Sequence, residues 1–292
     1  MVKRILKIVL FSVLSVVLLL LLFYVYVSWD FNQRAKKSYT YDVSVPKISY
    51  DSANLVLGEH LSVIKGCRDC HENDLGGRVL IDDPALGRLV PPNLTKGENG
   101  IGSQYSHEDW VRALRHGVGP DQKPLLFMPA HETANMTEKD MAALIAYCTQ
   151  ASPVTRSLPE IEIRPVGKLL NFFGKMHMLP VEIIDHDFVP LADMDKRVSP
   201  EFGEYLAVSC TGCHYSTFKG GSPQIPDSPP VADITSSGNL ARWSEADFIQ
   251  TLRTGKTPEG KIMQNEFMPW KMTSAFTDDE LKSLYLFLKN QQ

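Results

Sequence analysis

The sequence predicts an all-α protein in which two tandem helical modules follow one N-terminal transmembrane helix. Three observations support this prediction: a charge-free run of twenty residues, an internal repeat of about one hundred residues, and helix-capping residues at matching places in both copies. The expected division is an anchor over 1–29, a tether over 30–50, module one over 51–153, a connecting segment over 154–198 and module two over 199–292.

The anchor is predicted from the run between Ile8 and Val27, which contains no charged residue. Twenty helical residues span about 30 Å, the thickness of the hydrocarbon core of a bilayer. A cleaved signal peptide would have a shorter apolar core and a small-residue cleavage site. We therefore expect an uncleaved anchor, with Tyr24, Tyr26 and Trp29 at the membrane interface.

Charge and cysteine content restrict the possible functions. Beyond the anchor the chain carries 27 basic and 34 acidic residues, and this acidic balance argues against a nucleic-acid partner. Four of the five cysteines lie in two C-x-x-C-H stretches, GCRDCH (66–71) and SCTGCH (209–214), which leaves Cys148 alone. A disulfide framework is therefore not expected.

From the C-x-x-C-H stretches onward, the internal repeat relates residues that are 138 to 143 positions apart, and a two-residue gap precedes those stretches. Besides the C-x-x-C-H stretches, it aligns PPNLT with VADIT, YSHEDWVRALRHG with WSEADFIQTLRTG, LFMPA with EFMPW, and MTEKDMAALIAYC with FTDDELKSLYLFL. Each copy predicts a helix before C-x-x-C-H, a middle helix and a final helix. The expected N-caps include Ser106 and Ser244 for the middle helices and Thr137 and Thr277 for the final helices. No convincing strand pattern is present.

The two segments outside the modules differ in composition. The connecting segment contains four prolines that break a long helix, yet LLNFF (169–173) and MLPVEII (178–184) are too apolar to stay in water. We expect it to pack on the modules and fix their relative orientation. The polar stretch 28–50 is expected to be a coil tether with a reach of about 25 Å.

The C-x-x-C-H stretches predict covalent haem attachment. A zinc site would need a second pair of ligands in each module, and the one remaining cysteine cannot supply it. A thioredoxin-like motif would need a βαβ context, which the sequence does not show. C-x-x-C-H is the attachment motif of c-type haem, with the thiols one helical turn apart and histidine on the iron. Two covalent haem c groups are expected, on Cys67, Cys70 and His71 and on Cys210, Cys213 and His214.

The repeat also selects the second iron ligand. Among the ten methionines, Met128 and Met268 coincide between the copies, each within Phe-Met-Pro, and we expect their thioethers to bind iron. Cys148 faces Leu288 on an apolar stripe and is expected to be a core thiol. Arg115 and Arg253 also coincide, and either a haem propionate or a solvated helix end would explain them.

The histidines need a partner on the nitrogen that does not face iron. Pro91 and Pro92 in module one, and Pro229 and Pro230 in module two, precede the shared threonine. A carbonyl from these stretches is expected to accept from histidine Nδ1.

With these motifs in order, each module resembles a class I c-type cytochrome, and residues 51–290 resemble the dihaem and multihaem cytochrome c subunits of periplasmic alcohol-type dehydrogenases. The resemblance implies His/Met-ligated haem in two class I cytochrome c modules. It also departs from those subunits: they have three modules, and a cleavable leader where this chain has an anchor.

The expected function is a non-enzymatic relay of single electrons at the bacterial inner membrane, with the modules in the periplasm, where haem c is attached. Expected partners are a dehydrogenase, another cytochrome or a terminal oxidase. Two alternatives stay open: a dihaem cytochrome c peroxidase, which needs one iron with an open position, and a haem-bearing docking subunit of a dehydrogenase.

Overall fold

The computed structural model describes residues 1–222 and 228–292 and is mostly helical, as predicted. The helices are α1 Val2–Lys36, α2 Ser52–Ile64, α3 Cys67–His71, α4 His107–His116, α5 Glu138–Gln150, α6 Pro165–Phe172, α7 Pro200–Ala207, α8 Thr211–His214, α9 Glu245–Thr254, α10 Trp270–Thr273 and α11 Asp278–Lys289. Short 3₁₀ turns cover Ala130–Glu132, Pro180–Glu182, Val208–Cys210 and Asn239–Ala241.

The predicted helix starts are confirmed by their caps. The side chains of Ser106 and Ser244 each accept a bond from the backbone N–H three residues on, and Asp109 and Asp247 bond back to complete a capping box. The final helices begin after Thr137 and Thr277, whose side chains accept from the N–H three residues on, and at Thr277 the side chain of Glu280 completes a capping box. Ser199 caps α7, with Pro200 at its first position. These local signals set equivalent helices in both modules.

The first and last helices of each module cross at a glycine. A Cβ at Gly58 of α2 would lie 2.0 Å from the carbonyl oxygen of Ala143 in α5, and a Cβ at Gly203 of α7 would lie 2.0 Å from that of Ser283 in α11. The absence of a side chain therefore lets the two helices approach closely at matching points.

The two modules share one apolar core and meet through reciprocal contacts. His60 of module one bonds Glu280 of module two at 2.9 Å, and Tyr205 of module two donates to Asp140 of module one at 2.7 Å. His60 aligns with Tyr205 in the repeat, and Asp140 with Glu280. The interface is therefore built like that of a two-fold dimer, although both halves belong to one chain.

A three-stranded antiparallel sheet was not expected. Its strands are β1 Ile81–Asp83, β2 Gly87–Leu89 and β3 Glu162–Ile163, with Asp82 paired to Arg88 and Arg88 to Glu162. Strands of two or three residues are too short to show an alternating pattern in the sequence. The sheet joins the connecting segment to module one.

Residues 28–50 are not the coil tether that their polarity predicted. Helix α1 continues to Lys36, and Phe31 is buried against Leu89, Met178 and Leu179. After the helix, the backbone N–H of Tyr39 donates to Gln122, and three apolar side chains pack on the shared core: Val43, Val45 and Ile48. The prediction was wrong because a few apolar residues in a polar stretch suffice to fix it once neighbouring surfaces complement them.

The connecting segment packs on module one, as its apolar runs predicted. Met178, Leu179 and Val181 are almost fully buried, and Ile184 forms a small cluster with Ala130 and Ala134. Lys196 pairs with the buried Asp140 at 2.6 Å. The connecting segment therefore contacts both the anchor helix and module one.

Candidate functional site

The cysteines of each C-x-x-C-H stretch lie within a single helical turn, on α3 in module one and across the start of α8 in module two. Burial raises the pKa of Cys67 and of Cys210 to about 12. Both side chains pack against the shared apolar core. The thiols are therefore held in apolar surroundings, where a hydrophobic group could bond to them.

The histidine of each motif is oriented by a backbone carbonyl. His71 Nδ1 lies 2.8 Å from the carbonyl oxygen of Pro92, and His214 Nδ1 lies 2.8 Å from that of Ala232. Burial lowers the pKa of both imidazoles, which favours their neutral form. An Nδ1–H that donates to a carbonyl leaves Nε2 as the metal-binding atom.

The acceptor predicted for His71 is confirmed as Pro92. In module two the acceptor is Ala232 instead of Pro229 or Pro230. Ala232 precedes Thr235 by three residues, as Pro92 precedes Thr95. The acceptor is therefore set by its position in the repeat, three residues before the shared threonine, and not by the presence of proline.

The turn after each histidine has a strained backbone that the sequence did not indicate. Glu72 and Tyr215 follow the histidines at φ 66° and 59°, and Leu75 and Phe218 lie three residues further on at φ 56° and 57°. Side chains other than glycine are disfavoured there, at about 1–3 kcal/mol each. The same strain in both copies indicates that the turn geometry serves the site.

Module one contains a cavity of about 670 Å³ next to its C-x-x-C-H helix. Cys67, Cys70, His71 and Met128 all line it, and most other lining residues are apolar. Organic cofactors occupy cavities of about 300–1,000 Å³ with a few polar groups among apolar walls. The residues present therefore fit a haem with two thioether bonds, a histidine ligand and a methionine ligand.

The two methionines lie in the same tight turn. The N–H of Ala130 donates to the carbonyl of Met128 at 2.7 Å, and that of Trp270 donates to Met268 at 2.6 Å. The intervening prolines have φ −77°, ψ 56° and φ −74°, ψ 64°. These values define an inverse γ-turn. The shared turn presents both sulfurs from matching backbone.

Arg115 and Arg253 hold the stretch between each methionine turn and the final helix. Arg115 Nη1 donates to the carbonyls of Ala134 and Met136 at 2.8 and 2.9 Å, and its Nη2 pairs with Glu138. Arg253 donates in the same way to Ser274 and pairs with Asp278 at 2.7 Å. Each guanidinium joins the middle helix to the stretch before the final helix. A propionate role stays a prediction, since these contacts supply other partners.

A polar group between the two motifs was missed by sequence reasoning. Glu132 Oε1 lies 2.5 Å from where a Cβ at Gly212 would be, within the other module's C-x-x-C-H stretch. Met272, which aligns with Glu132, approaches Gly66 in the same way, with its sulfur at 3.6 Å. Each methionine turn therefore packs against the other module's cysteine motif. The repeat alignment pairs Glu132 with Met272, but it does not show that either residue contacts the other module.

Burial dominates the electrostatics of this region. It raises the pKa of Glu132 to about 7, although nearby Lys65 acts in the opposite direction. Burial also lowers the pKa of Lys65, whose ammonium lies 5.1 Å from the centre of the Tyr205 ring. Cys148 is buried as predicted, and burial raises the pKa of its thiol.

Comparison with known proteins gives a family for each module. Residues 58–148 match the family described as cytochrome c oxidase, cbb3-type, subunit III, and residues 203–292 match the family described as cytochrome c. The chain contains two cytochrome c domains. The cysteine and histidine geometry described above is therefore assigned to covalently bound haem c.

Several relatives with similarity across most of this chain are cytochrome subunits. The alcohol dehydrogenase (quinone) cytochrome c subunit of Gluconacetobacter polyoxogenes is 26% identical over 82% of this chain and 56% of its own length. The fructose dehydrogenase cytochrome subunit of Gluconobacter japonicus is 27% identical over 70% and 45%. The gluconate 2-dehydrogenase cytochrome c subunit of Pantoea cypripedii is 26% identical over 73% and 54%. The chain thus spans about half the length of these relatives.

Proposed function

We propose that this protein is a membrane-anchored dihaem cytochrome c that relays single electrons and has no substrate chemistry of its own. The observation that carries the proposal is the duplication of one complete ligand arrangement. Each module has a C-x-x-C-H turn, a histidine oriented by a carbonyl, and a methionine in an inverse γ-turn. The proposed iron ligands are His71 with Met128 and His214 with Met268.

The chain's contribution to electron transfer is to hold these ligands still. Haem iron with histidine and methionine axial ligands changes oxidation state by one electron and has no free position for a substrate. The carbonyls of Pro92 and Ala232 fix the imidazole planes, and Arg115 and Arg253 fix the loops that follow the methionines. Ligands that do not move keep the reorganisation small.

The module interface supports a relay between the two sites. Glu132 of module one lies against Gly212, and Met272 of module two lies against Gly66, so each module contacts the other's attachment motif. The shared core and the reciprocal contacts hold the motifs in one body. A donor at one module and an acceptor at the other would then exchange electrons through the chain.

Location and partners follow from the cofactor and the relatives. Helix α1 is long and apolar enough to cross a membrane, and its apolar stretch is exposed. Because haem c is attached outside the cytoplasm, the modules would lie in the periplasm of a bacterium, on the outer side of the inner membrane. Since the relatives are subunits named for dehydrogenases, a dehydrogenase is the proposed donor. We retain 51–153 and 199–292 as the module boundaries.

The alternatives differ in their iron sites. A peroxidase needs one iron with an open or readily opened position, whereas both modules here place a methionine in an inverse γ-turn at the matching point. A docking subunit would carry the same haems, and the relatives are compatible with it. The two roles can coexist, because a relay must also bind its donor.

Haem stoichiometry tests the proposal. The full-length protein, purified after expression with the haem c attachment machinery, should contain two haems per chain by the pyridine haemochrome assay. The double variants Cys67→Ala/Cys70→Ala and Cys210→Ala/Cys213→Ala should each retain one haem. The wild-type ferric spectrum should be low-spin and unchanged by hydrogen peroxide. One haem in the wild type, or a high-spin ferric haem that consumes peroxide, would contradict the relay.

A further inference from the structure

The connecting segment contacts the anchor helix inside its apolar run. The ring of Phe172, at the end of α6, lies 5.5 Å from the ring of Phe23 in an edge-to-face arrangement and 6.3 Å from that of Tyr26. Phe173 lies 6.2 Å from Phe23. These contacts join a segment between the two modules to residues of the membrane-spanning stretch.

Helix geometry gives the depth of this contact. Phe23 lies four residues before Val27, where the charge-free run ends. At 1.5 Å per residue, Phe23 is about 6 Å inside that end. A group that packs beside Phe23 lies at the same depth, provided that α1 crosses the bilayer close to its normal.

The tip of the segment, residues 172–175, has the character of a membrane-inserted element. Phe172 and Phe173 are 37% and 59% exposed, which the packing of the protein itself does not explain. Gly174 follows at φ 63° with open space around it. On the side of the modules, Lys168 Nζ donates to Ser28 at 2.9 Å, just beyond the end of the apolar run. An ammonium at that level and phenyl rings below it match the interface of a bilayer.

The level of the tip is fixed by the rest of the segment. Met178 and Leu179 bury Phe31 of α1, and Arg34 of α1 pairs with Glu182 at 2.7 Å. The anchor helix and the connecting segment therefore form one unit through about three turns of α1, from Phe23 to Arg34. The tip cannot leave the level of Phe23 without breaking these contacts.

We propose that the phenyl rings of the tip, residues 172–175, insert among the lipid acyl chains of the outer leaflet, with the ammonium of Lys175 reaching back to the headgroups, and form a second membrane contact beside α1. The argument is continuity with the anchor, since the same phenyl rings complete the surface of α1 at lipid depth. A second contact would stop module one from swinging on the anchor and would make it the membrane-proximal module. This inference rests on the proposed anchoring by α1.

Spin labels in the full-length protein test the insertion. Phe173→Cys, Leu14→Cys and Ile262→Cys are each labelled with a nitroxide after reconstitution in lipid nanodiscs, with haem content confirming the fold. Leu14 lies within the apolar run, and Ile262 is 75% exposed on module two. The natural cysteines do not compete, because Cys148 is buried and the others are expected to be thioethers. Collisions with oxygen and with a water-soluble nickel chelate are measured by electron paramagnetic resonance.

The labels at positions 173 and 14 are expected to collide several-fold more with oxygen, relative to the nickel chelate, than the label at position 262. A label at 173 that matches 262 while 14 stays in lipid would overturn the insertion and leave the anchor intact. A label at 173 shielded from both reagents would mean that protein covers the tip, which also overturns it. If the label at 14 reached the chelate, the anchoring itself would fail.

Discussion

The methionine turns of the two modules have the same backbone but different support. In module one the turn is followed by the small Ala130, and Val181 and Ile184 of the connecting segment fill the space beside Gly117. In module two the same space, beside Gly255, is filled by Trp270, which replaces that alanine in the repeat. Module two thus covers its methionine turn with its own side chain, whereas in module one the connecting segment covers the turn.

Through the connecting segment, the candidate haem site of module one contacts the anchor helix. The N–H of Phe127, the residue before Met128, donates to the carbonyl of Met178 at 3.0 Å, and Met178 also buries Phe31 of the anchor helix. Where module two has Trp270, module one has Ala130, and the connecting segment occupies the corresponding space. Module one is therefore coupled to the anchor helix, whereas module two fills the equivalent space with its own side chain.

The largest expected effect concerns what the modules share. Gly58→Ala and Gly203→Ala each place a methyl group against a backbone carbonyl at a helix crossing. Because that carbonyl belongs to a packed helix, we expect each variant to lose about 3 kcal/mol or more of unfolding free energy. The loss should be similar for the two variants in denaturant titrations.

Gly119→Ala is the matched control, since its new methyl group would meet the side-chain ends of Asp121 at 3.1 Å and Leu125 at 3.4 Å, and a backbone carbonyl, that of Lys123, only at 3.8 Å. We expect it to cost less than about 1 kcal/mol. If Gly58→Ala and Gly203→Ala were tolerated equally well with this control, the helix crossing would not depend on glycine.

The next prediction concerns the side chains that cover the methionine turns, which differ between the two modules. Trp270→Ala removes the cover of module two and should cost about 3 kcal/mol, whereas Ile184→Ala removes part of the cover of module one and should cost about 2 kcal/mol. Because the sites lie in different modules, the double variant should show the sum within about 0.5 kcal/mol in the same titrations. A negligible cost for Ile184→Ala would show that module one does not rely on the connecting segment.

The third expected effect is a pH dependence of stability caused by Glu132. Its counterpart in the repeat is Met272, which does not titrate. Burial raises the folded-state pKa of Glu132 from 4.5 to about 7, so the folded chain holds this proton more tightly than the unfolded chain. The stability that the proton contributes is complete below pH about 4.5 and is lost as pH rises to about 7. We expect a loss of about 3 kcal/mol, since one pKa unit corresponds to about 1.4 kcal/mol and the value of about 7 already includes the opposing effect of Lys65.

Glu132→Gln should remove that part of the pH dependence when unfolding is followed between pH 4.5 and 8. The exposed Glu98 provides the control, and Glu98→Gln should keep the wild-type profile. A variant at position 132 with an unchanged profile would mean that the carboxylate is solvated in the folded protein.

Much of the fold was predictable because its signals are local. The caps at Ser106, Thr137 and their counterparts, and the apolar spacing of the helices, each depend on a few adjacent residues. The repeat added long-range information, since it picked Met128 and Met268 out of ten methionines. Their role as ligands stays a prediction, although Met128 does line the cavity that His71 lines.

The features that were missed depend on tertiary contacts. The left-handed backbone at Glu72 and Leu75 is held by the surrounding structure, and neither residue type indicates it. The approach of Glu132 to Gly212 joins residues 80 positions apart in different modules. The docking of 28–50 and the small sheet likewise depend on surfaces that the connecting segment supplies. Patterns within one segment cannot show what another segment covers.

The most direct test of the central claim, that each module carries His/Met-ligated haem c, is the ferric absorption spectrum of single methionine variants. The methionine-to-iron charge-transfer band at the red end of the spectrum should fall by about half in Met128→Ala and in Met268→Ala, and vanish in the double variant. Met136→Leu, a buried core methionine, should leave the band intact. A band that survives the double variant would contradict the ligand assignment in both modules.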